Sequence, residues 1–264
     1  MDVSKLSIME IAIDIHGLTV SYGVNTALWN VSTQIPARQI SAIIGPNGAG
    51  KSTLLRAMLG MVPKLSGKIE YKGVVGSDVQ QDKMLASKVG YVPQCTCVDW
   101  DFPINVLDLV LMGTYGRLKW FQRPGEKERA DAYEALAKVQ MQDFCDRQIG
   151  QLSGGQQQRV FLARAFVQQA SIYLLDEPFA GVDAATEKMI VDILHGLRDA
   201  GKTVSLVHHD LTTVNRYFDH VILLNKQLIA SGPTETTFTS EHIQATYGVT
   251  SMQIHDVSKD AIDV

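Results

Sequence analysis

Long apolar runs are the first thing this chain lacks. None of its 264 residues falls in a stretch approaching the ~18–20 apolar positions that a helix needs to cross a bilayer. The opening residues, Met1 to Glu10, lack the basic start and apolar core of a secretory signal. A soluble, cytoplasmic chain is therefore the expectation. Cysteine is scarce, and its three copies are an odd number, which argues against a disulfide framework. Basic charge is not in excess: the net charge is −4, so no nucleic-acid partner is expected. Low-complexity tracts and internal repeats are missing too, which excludes repeat arrays. What is present is a composition 45% hydrophobic. It can bury a sizeable core as one large domain or two intimate lobes.

The most informative stretch is Gly45-Pro46-Asn47-Gly48-Ala49-Gly50-Lys51-Ser52-Thr53, which fits G-x-x-x-x-G-K-[ST]. The apolar run Gln39–Ile44 ahead of it reads as a buried strand, and Leu54–Leu59 behind it reads as a helix. In that context glycines let successive backbone N–H groups turn around an anion, and the helix start adds partial positive charge. Lys51 can reach the β- and γ-phosphates, and the Ser52 hydroxyl can ligate Mg²⁺. A Gly-rich turn with a solvated lysine is the bland alternative, and the strand and helix speak against it.

Along the chain, residues 10–44 alternate short apolar segments with turn signals: Ile11–Ile15, Leu18–Tyr22, Ala27–Ile35 and Gln39–Ile44. They read as a strand-rich, largely antiparallel start. Gly67–Tyr71 and Lys88–Val92 look like further strands. From Pro103 the period becomes helical, with Val106, Leu107, Val110 and Leu111 on one face. Glu126–Val139 and Gln156–Gln169 follow as helices, and residues 171–224 alternate strand and helix in the manner of a parallel sheet. The organisation expected is one α/β unit of core and β subdomain over about 10–93 and 166–245. A helical subdomain is inserted at about 94–165, and a polar, weakly patterned tail runs over 246–264.

Two more motifs carry chemistry. Ser171–Pro178 is an apolar strand ending in Asp176 and Glu177. Acids there lie at the sheet edge where open α/β folds bind ligands. One can hold Mg²⁺ while the other orients or deprotonates water; solvated turn acids are the alternative. Leu152–Arg159 places Ser153 as an N-cap before Gly154, Gly155 and Gln156. It is a second candidate anion site, or an ordinary capped helix. Two phosphate-binding helix starts far apart in sequence suggest a nucleotide shared between two copies of the chain.

The phosphate loop at 45–53, Leu152–Arg159, Ile172–Pro178 and His209-Asp210-Leu211, in that order, resemble the ATPases of ATP-binding cassette (ABC) transporters over roughly residues 10–245. The resemblance implies an α/β P-loop NTPase (RecA-like) core with an antiparallel β subdomain and an inserted α-helical subdomain. It implies ATP and Mg²⁺ as cofactors and ATP hydrolysis coupled to transport. Residue by residue, it implies that Tyr22 stacks on adenine, while Gly45, Pro46, Asn47, Gly48, Ala49, Gly50, Lys51, Ser52 and Thr53 hold the phosphates. Gln94 contacts Mg²⁺ and the attacking water, Asp176 is the metal-side acid, Glu177 the general base and His209 the γ-phosphate switch. Ser153, Gly154, Gly155, Gln156 and Asp183 reach ATP on the opposite subunit. Catalysis would thus fall to Glu177, His209, Gln94 and Lys51, and Mg²⁺ to Ser52, Gln94 and Asp176. His208 stands where the family more often shows a small residue, and no role follows for it.

The wording of residues 98–121 resembles more narrowly the ATPases of manganese, zinc and iron uptake systems. That implies a homodimer on the inner face of the cell membrane, joined to integral membrane permease subunits and indirectly to an extracytoplasmic metal-binding protein. The aromatics Trp100, Phe102, Tyr115, Trp120 and Phe121 are candidates for docking those subunits, or for packing inside the helical subdomain. An importer for another substrate, or an ABC ATPase outside transport, is the rival reading. Cys95 and Cys97 are two thiols, short of the ~4 ligands of a closed zinc site, and read as small loop residues.

Overall fold

A computed structural model describes residues 10–72, 88–94, 102–119 and 121–248. Its first layer is a small antiparallel sheet in the order β2-β1-β4. Strand β1 (Ile11–Tyr22) pairs with β2 (Asn25–Pro36) on one side and β4 (Ser66–Tyr71) on the other. The two apolar segments read separately at the start of the chain are one strand. Its register slips between Ile15 and Leu18, where Gly17 takes φ +56° and donates its N–H to Ser32 Oγ at 2.8 Å. Such a bulge costs little at glycine, which tolerates positive φ.

The second layer is a six-stranded sheet in the order β5-β6-β7-β3-β8-β9. Strands β5 (Val89–Val92), β6 (Ile172–Leu175), β7 (Thr203–Val207), β3 (Ile40–Ile44) and β8 (His220–Asn225) run parallel, and β9 (Gln227–Pro233) returns antiparallel. β3 does not belong to the antiparallel start with its sequence neighbours. All five of its residues are buried, as they must be in a strand covered on both faces, whereas β2 mixes buried and exposed positions.

Helices cover this sheet. α1 (Lys51–Met58) follows β3. α2 (Val106–Leu111), α3 (Glu126–Lys138) and α4 (Gly154–Phe166) form the helical portion, α5 (Ala184–Asp199) and the one-turn α6 (Val214–Tyr217) flank β7, and α7 (Thr234–Thr237) and α8 (Ser240–Tyr247) close the described chain. Val106, Val110, Leu136, Val160 and Leu162 belong to the same buried cluster as Ile40, Ala42, Leu175 and Leu206. The helical portion therefore shares its core with one face of the sheet. α4 starts at Gly154, ahead of the apolar periodicity, because Ser153 caps it. It ends before Gln169, which adopts φ +53°.

Candidate active site

Four adjacent parallel strands deliver the candidate residues to one edge. In spatial order β5, β6, β7 and β3 are followed by Gln94, by Asp176 and Glu177, by His209 and by the loop Gly45–Gly50. The carboxyl ends of such strands are where open α/β sheets bind ligands. Glycine at positions 45 and 50 is required by space. A Cβ on Gly45 would lie 2.0 Å from the Leu224 carbonyl oxygen. Gly50 has φ +93°, and its Cβ would lie 2.5 Å from Leu28. Asn47 and Gly48 sit exposed at the loop tip.

Lys51 opens α1 and is buried, 6% exposed. Its ammonium donates to the carbonyl oxygens of Gly45 and Pro46, both at 2.8 Å, which aims it over the loop. Burial lowers its pKa, and the negative charges of Glu177 and Asp176 oppose that shift. Next in the helix, Ser52 Oγ donates to Asp176 Oδ1 at 2.8 Å. Asp176 is fully buried, and its backbone N–H extends the ladder to Val92. Burial raises its pKa, partly offset by the Ser52 hydrogen bond. Its Oδ2 is buried and makes no hydrogen bond. An orphaned buried carboxylate oxygen beside a hydroxyl suits a hard divalent cation with oxygen ligands.

Glu177 is held on both oxygens. Gln94 Nε2 donates to Oε2 at 2.9 Å, and His209 Nε2 lies 2.6 Å from Oε1. Glu177 takes φ +53°, uncommon for a side chain without special reason. Gln94 and His209 thus converge on Glu177; neither is bonded to Ser52 or Asp176 in the structure. Tyr22 is separate from this cluster. It is 47% exposed and lines a cleft of about 690 Å³ with Trp29, Gly48, Asn225 and Lys226. Gly48 links this cleft to the phosphate loop. Asn225, Lys226 and Gln227, at the β8–β9 corner in the cleft wall, were not singled out in the sequence.

The second helix start is built as expected locally. Ser153 N–H donates to Gln156 Oε1 at 2.9 Å, and Gln156 N–H donates to Ser153 Oγ at 3.4 Å. Its bonds are local, and a Cβ on Gly154 or Gly155 would meet nothing within 4 Å. Asp183 caps α5, accepting from Thr186 N–H at 2.7 Å, and this bond lowers its pKa. Ser153 and Asp183 are exposed, and their hydrogen bonds are to their own helices, with none to Lys51, Asp176 or Glu177. His208, beside His209, turns inward. It is 4% exposed, bonds Thr213 Oγ1 at 2.8 Å and packs edge-on against Phe179 and Phe218. Cys95, Cys97, Trp100 and Trp120 lie outside the described residues. Elsewhere, Asp14, His16 and Glu70 bring ligand atoms within 4.8 Å of one another. Lys72 stands 2.8 Å from Glu70 and 3.6 Å from Asp14, and Lys68 also pairs with Glu70, so the two carboxylates are already neutralised.

Residues 28–180 match the ABC transporter family. The chain is 52% identical to the zinc transport system ATP-binding protein TroB of Treponema pallidum (strain Nichols), over 93% of this chain and 90% of that protein. It is also 52% identical to the manganese transport system ATP-binding protein MntB of Bacillus subtilis (strain 168), over 89% and 92%. Among solved structures, it resembles an ABC transporter in an inward-facing conformation, with TM-score 0.77 and 30% identity over 90% of this chain and 89% of that one. A dimeric bacterial ABC transporter cassette gives TM-score 0.74 and 28% identity over 84% and 98%. The same cassette is known in a post-hydrolysis state bound to ADP and phosphate, with the same score and coverage.

Proposed function

The chain belongs to the ABC transporter family and is an ATPase of that family, and from this premise we propose that it powers uptake of manganese, zinc or iron through separate membrane subunits. The observation that carries the reading of the site is the convergence of Gln94 and His209 on Glu177, beside Ser52–Asp176 and Lys51. The cargo rests on the 52% identity to zinc and manganese transport ATP-binding proteins over nearly the whole chain.

In this reading Tyr22 stacks on adenine in the cleft it lines. Residues Gly45 to Thr53 hold the phosphates, with Lys51 supplying positive charge at the β/γ position. The Ser52 hydroxyl, the Asp176 carboxylate and the Gln94 side-chain oxygen would hold Mg²⁺, which when bound neutralises charge on the β- and γ-phosphate oxygens. Glu177 takes a proton from water as general base. Gln94 and His209 orient its two oxygens, and His209 can exchange that contact for the γ-phosphate. Ser153, Gly154, Gly155, Gln156 and Asp183, on open surface, would meet ATP held by a second copy, which makes the working unit a homodimer.

Among the described residues no helix is long and apolar enough to cross a membrane. The proposed location is the inner membrane face, docked on permease subunits, a reading supported by the likeness to ATP-binding proteins of metal transport systems. Two grooves meeting at Met112 support a docking surface. One, of about 490 Å³, is lined by Leu59, Met61, Tyr91, Met112 and Arg164. The other, of about 520 Å³, is lined by Phe102, Leu111, Met112, Tyr115 and Arg129. An extracytoplasmic metal-binding protein would act through the permease. The test is co-purification with a membrane partner followed by uptake of Mn²⁺, Zn²⁺ and Fe²⁺ in cells with and without the protein. Unchanged uptake of all three, with altered uptake of a sugar or amino acid, would reject the cargo and leave the ATPase.

A further inference from the structure

His208 is a buried imidazole next in sequence to His209, and its side chain meets Thr213, Phe179 and Phe218. Strand β7 ends at Val207, but the ladder runs one residue further: His208 N–H donates to the Ile43 carbonyl at 3.1 Å. Extended backbone sends neighbouring side chains to opposite sides. His208 accordingly turns inward, while exposed His209 reaches Glu177 Oε1 at 2.6 Å.

The hydrogen bonds of His208 can be assigned by counting protons. Burial pushes its pKa down to about 4, so the ring is neutral and carries one N–H. The Thr213 hydroxyl has one proton and donates it to the Asp210 carbonyl at 3.2 Å. That hydroxyl must therefore accept from His208, which puts the imidazole proton on Nε2, 2.8 Å away. His208 and Asp210, on either side of His209, are thus joined through one hydroxyl. Asp210 Oδ1 also accepts from Thr212 N–H at 2.9 Å and from the Thr212 hydroxyl at 2.7 Å. The short loop that presents His209 is closed on itself, and Thr213 anchors it at the start of α6.

The same ring reaches the other catalytic loop. Phe179, two residues after Glu177, lies edge-on to it with centroids 5.4 Å apart. Ala180 N–H donates to the Glu177 carbonyl at 3.1 Å, so Phe179 sits inside a turn that Glu177 opens. Phe218 holds the ring from another side at 4.8 Å. Packing between two phenyl rings would be served by a third phenyl; the bond to Thr213 requires a nitrogen.

We propose that His208 is a positioning residue for hydrolysis, whose Nε2–H bond to Thr213 fixes the loop of His209 against the turn of Glu177. The inference rests on the reading of Glu177 and His209 as general base and switch.

His208→Phe in the full chain keeps a ring and removes the donor, and Thr213→Val removes the acceptor with little change of shape. Each should lower kcat about three- to tenfold, the range of one neutral hydrogen bond. The dissociation constant for ATP should stay unchanged, because Thr213, Phe179 and Phe218 lie outside the loop of residues 45–53. The double variant should be no slower than either single one, since both remove the same bond. His208→Gln loses the ring but keeps an N–H donor, so it should hydrolyse faster than His208→Phe. Unchanged kcat in Thr213→Val would overturn the proposal. So would additive losses in the double variant, or a phenylalanine that outperforms glutamine, which is the order expected of packing alone. Glu177→Gln and His209→Ala measured alongside separate the two levels. If both hydrolyse ATP normally, the reading of the site itself fails. If both stop while His208→Phe and Thr213→Val do not slow, only the role of His208 falls.

Discussion

Glu177 combines a left-handed backbone with partners on both carboxylate oxygens. Such over-determination is how a strained conformation persists at a working residue. Glu177→Gln keeps the shape and removes the base. ATP binding should survive by calorimetry while turnover falls about 10²–10⁴-fold, the usual weight of a positioned general base. Hydrolysis near the wild-type rate by the pure variant would remove Glu177 from that role. Two other residues answer to pH. His208 and His220 are buried, 4% and 3% exposed, and burial pushes both down to about 4 from the ordinary 6.5. The fold accepts only their neutral form. As pH falls from about 6.5 to about 4 the unfolded chain takes up these protons first. Their contribution is therefore complete above pH 6.5 and is lost through that window. Each ring accounts for about 3 kcal/mol over the full interval. His220→Leu should flatten the fall of the denaturation midpoint between pH 6.5 and 4 relative to wild type; an identical pH profile would contradict the assignment. None of this was legible beforehand at His208, which carried no interpretable signal because its role is packing against Phe179 and Phe218, contacts remote in sequence.

Helix α4 and strand β3 show at the next scale what one-dimensional patterns carry. β3, the loop and α1 were readable together, because a continuous apolar run, a glycine pattern and a helix follow one another without long-range help. The apposition of Gln94, Glu177 and His209 was implied only by family resemblance, since it depends on the strand order β5-β6-β7-β3. β9 was not anticipated, since its half-exposed residues show no clean alternation. The start of α4 was legible as a cap, and its destination, ATP on the opposite subunit, was implied by the pair of helix starts and by the family resemblance. Its two glycines open onto free space, and no bond ties Ser153 to the Lys51 loop of the same chain. If that start belongs to a neighbour's nucleotide, Ser153→Arg should abolish hydrolysis while leaving ATP binding to the single chain intact, because a bulky cation would block closure onto the partner's γ-phosphate. A crosslinker at position 153 should then label ATP held by the other copy. Labelling confined to the same chain would sink the shared site.

The whole molecule presents its chemistry and its apolar surface in different places. Phe102 and Tyr115 are 57% and 55% exposed on the rim of the groove around Met112, while Lys51, Asp176 and Glu177 lie at the carboxyl edge of the sheet. Val106, Val110 and Leu111 of α2 are buried, whereas these two aromatics are more than half exposed. Large exposed aromatics around a groove mark an interaction surface. Removing a central aromatic from an interface commonly costs ~2 kcal/mol or more. Phe102→Ala with Tyr115→Ala should therefore leave basal ATPase and Tm of the isolated subunit near wild type. Stimulation by the membrane partner should fall, and Mn²⁺ or Zn²⁺ uptake in cells should fall with it. Loss of basal ATPase together with Tm would show instead that these rings hold the helical portion in place. Coupling then separates cleanly from catalysis: Glu177→Gln should stop transport with docking intact, and the aromatic pair should stop transport with hydrolysis intact.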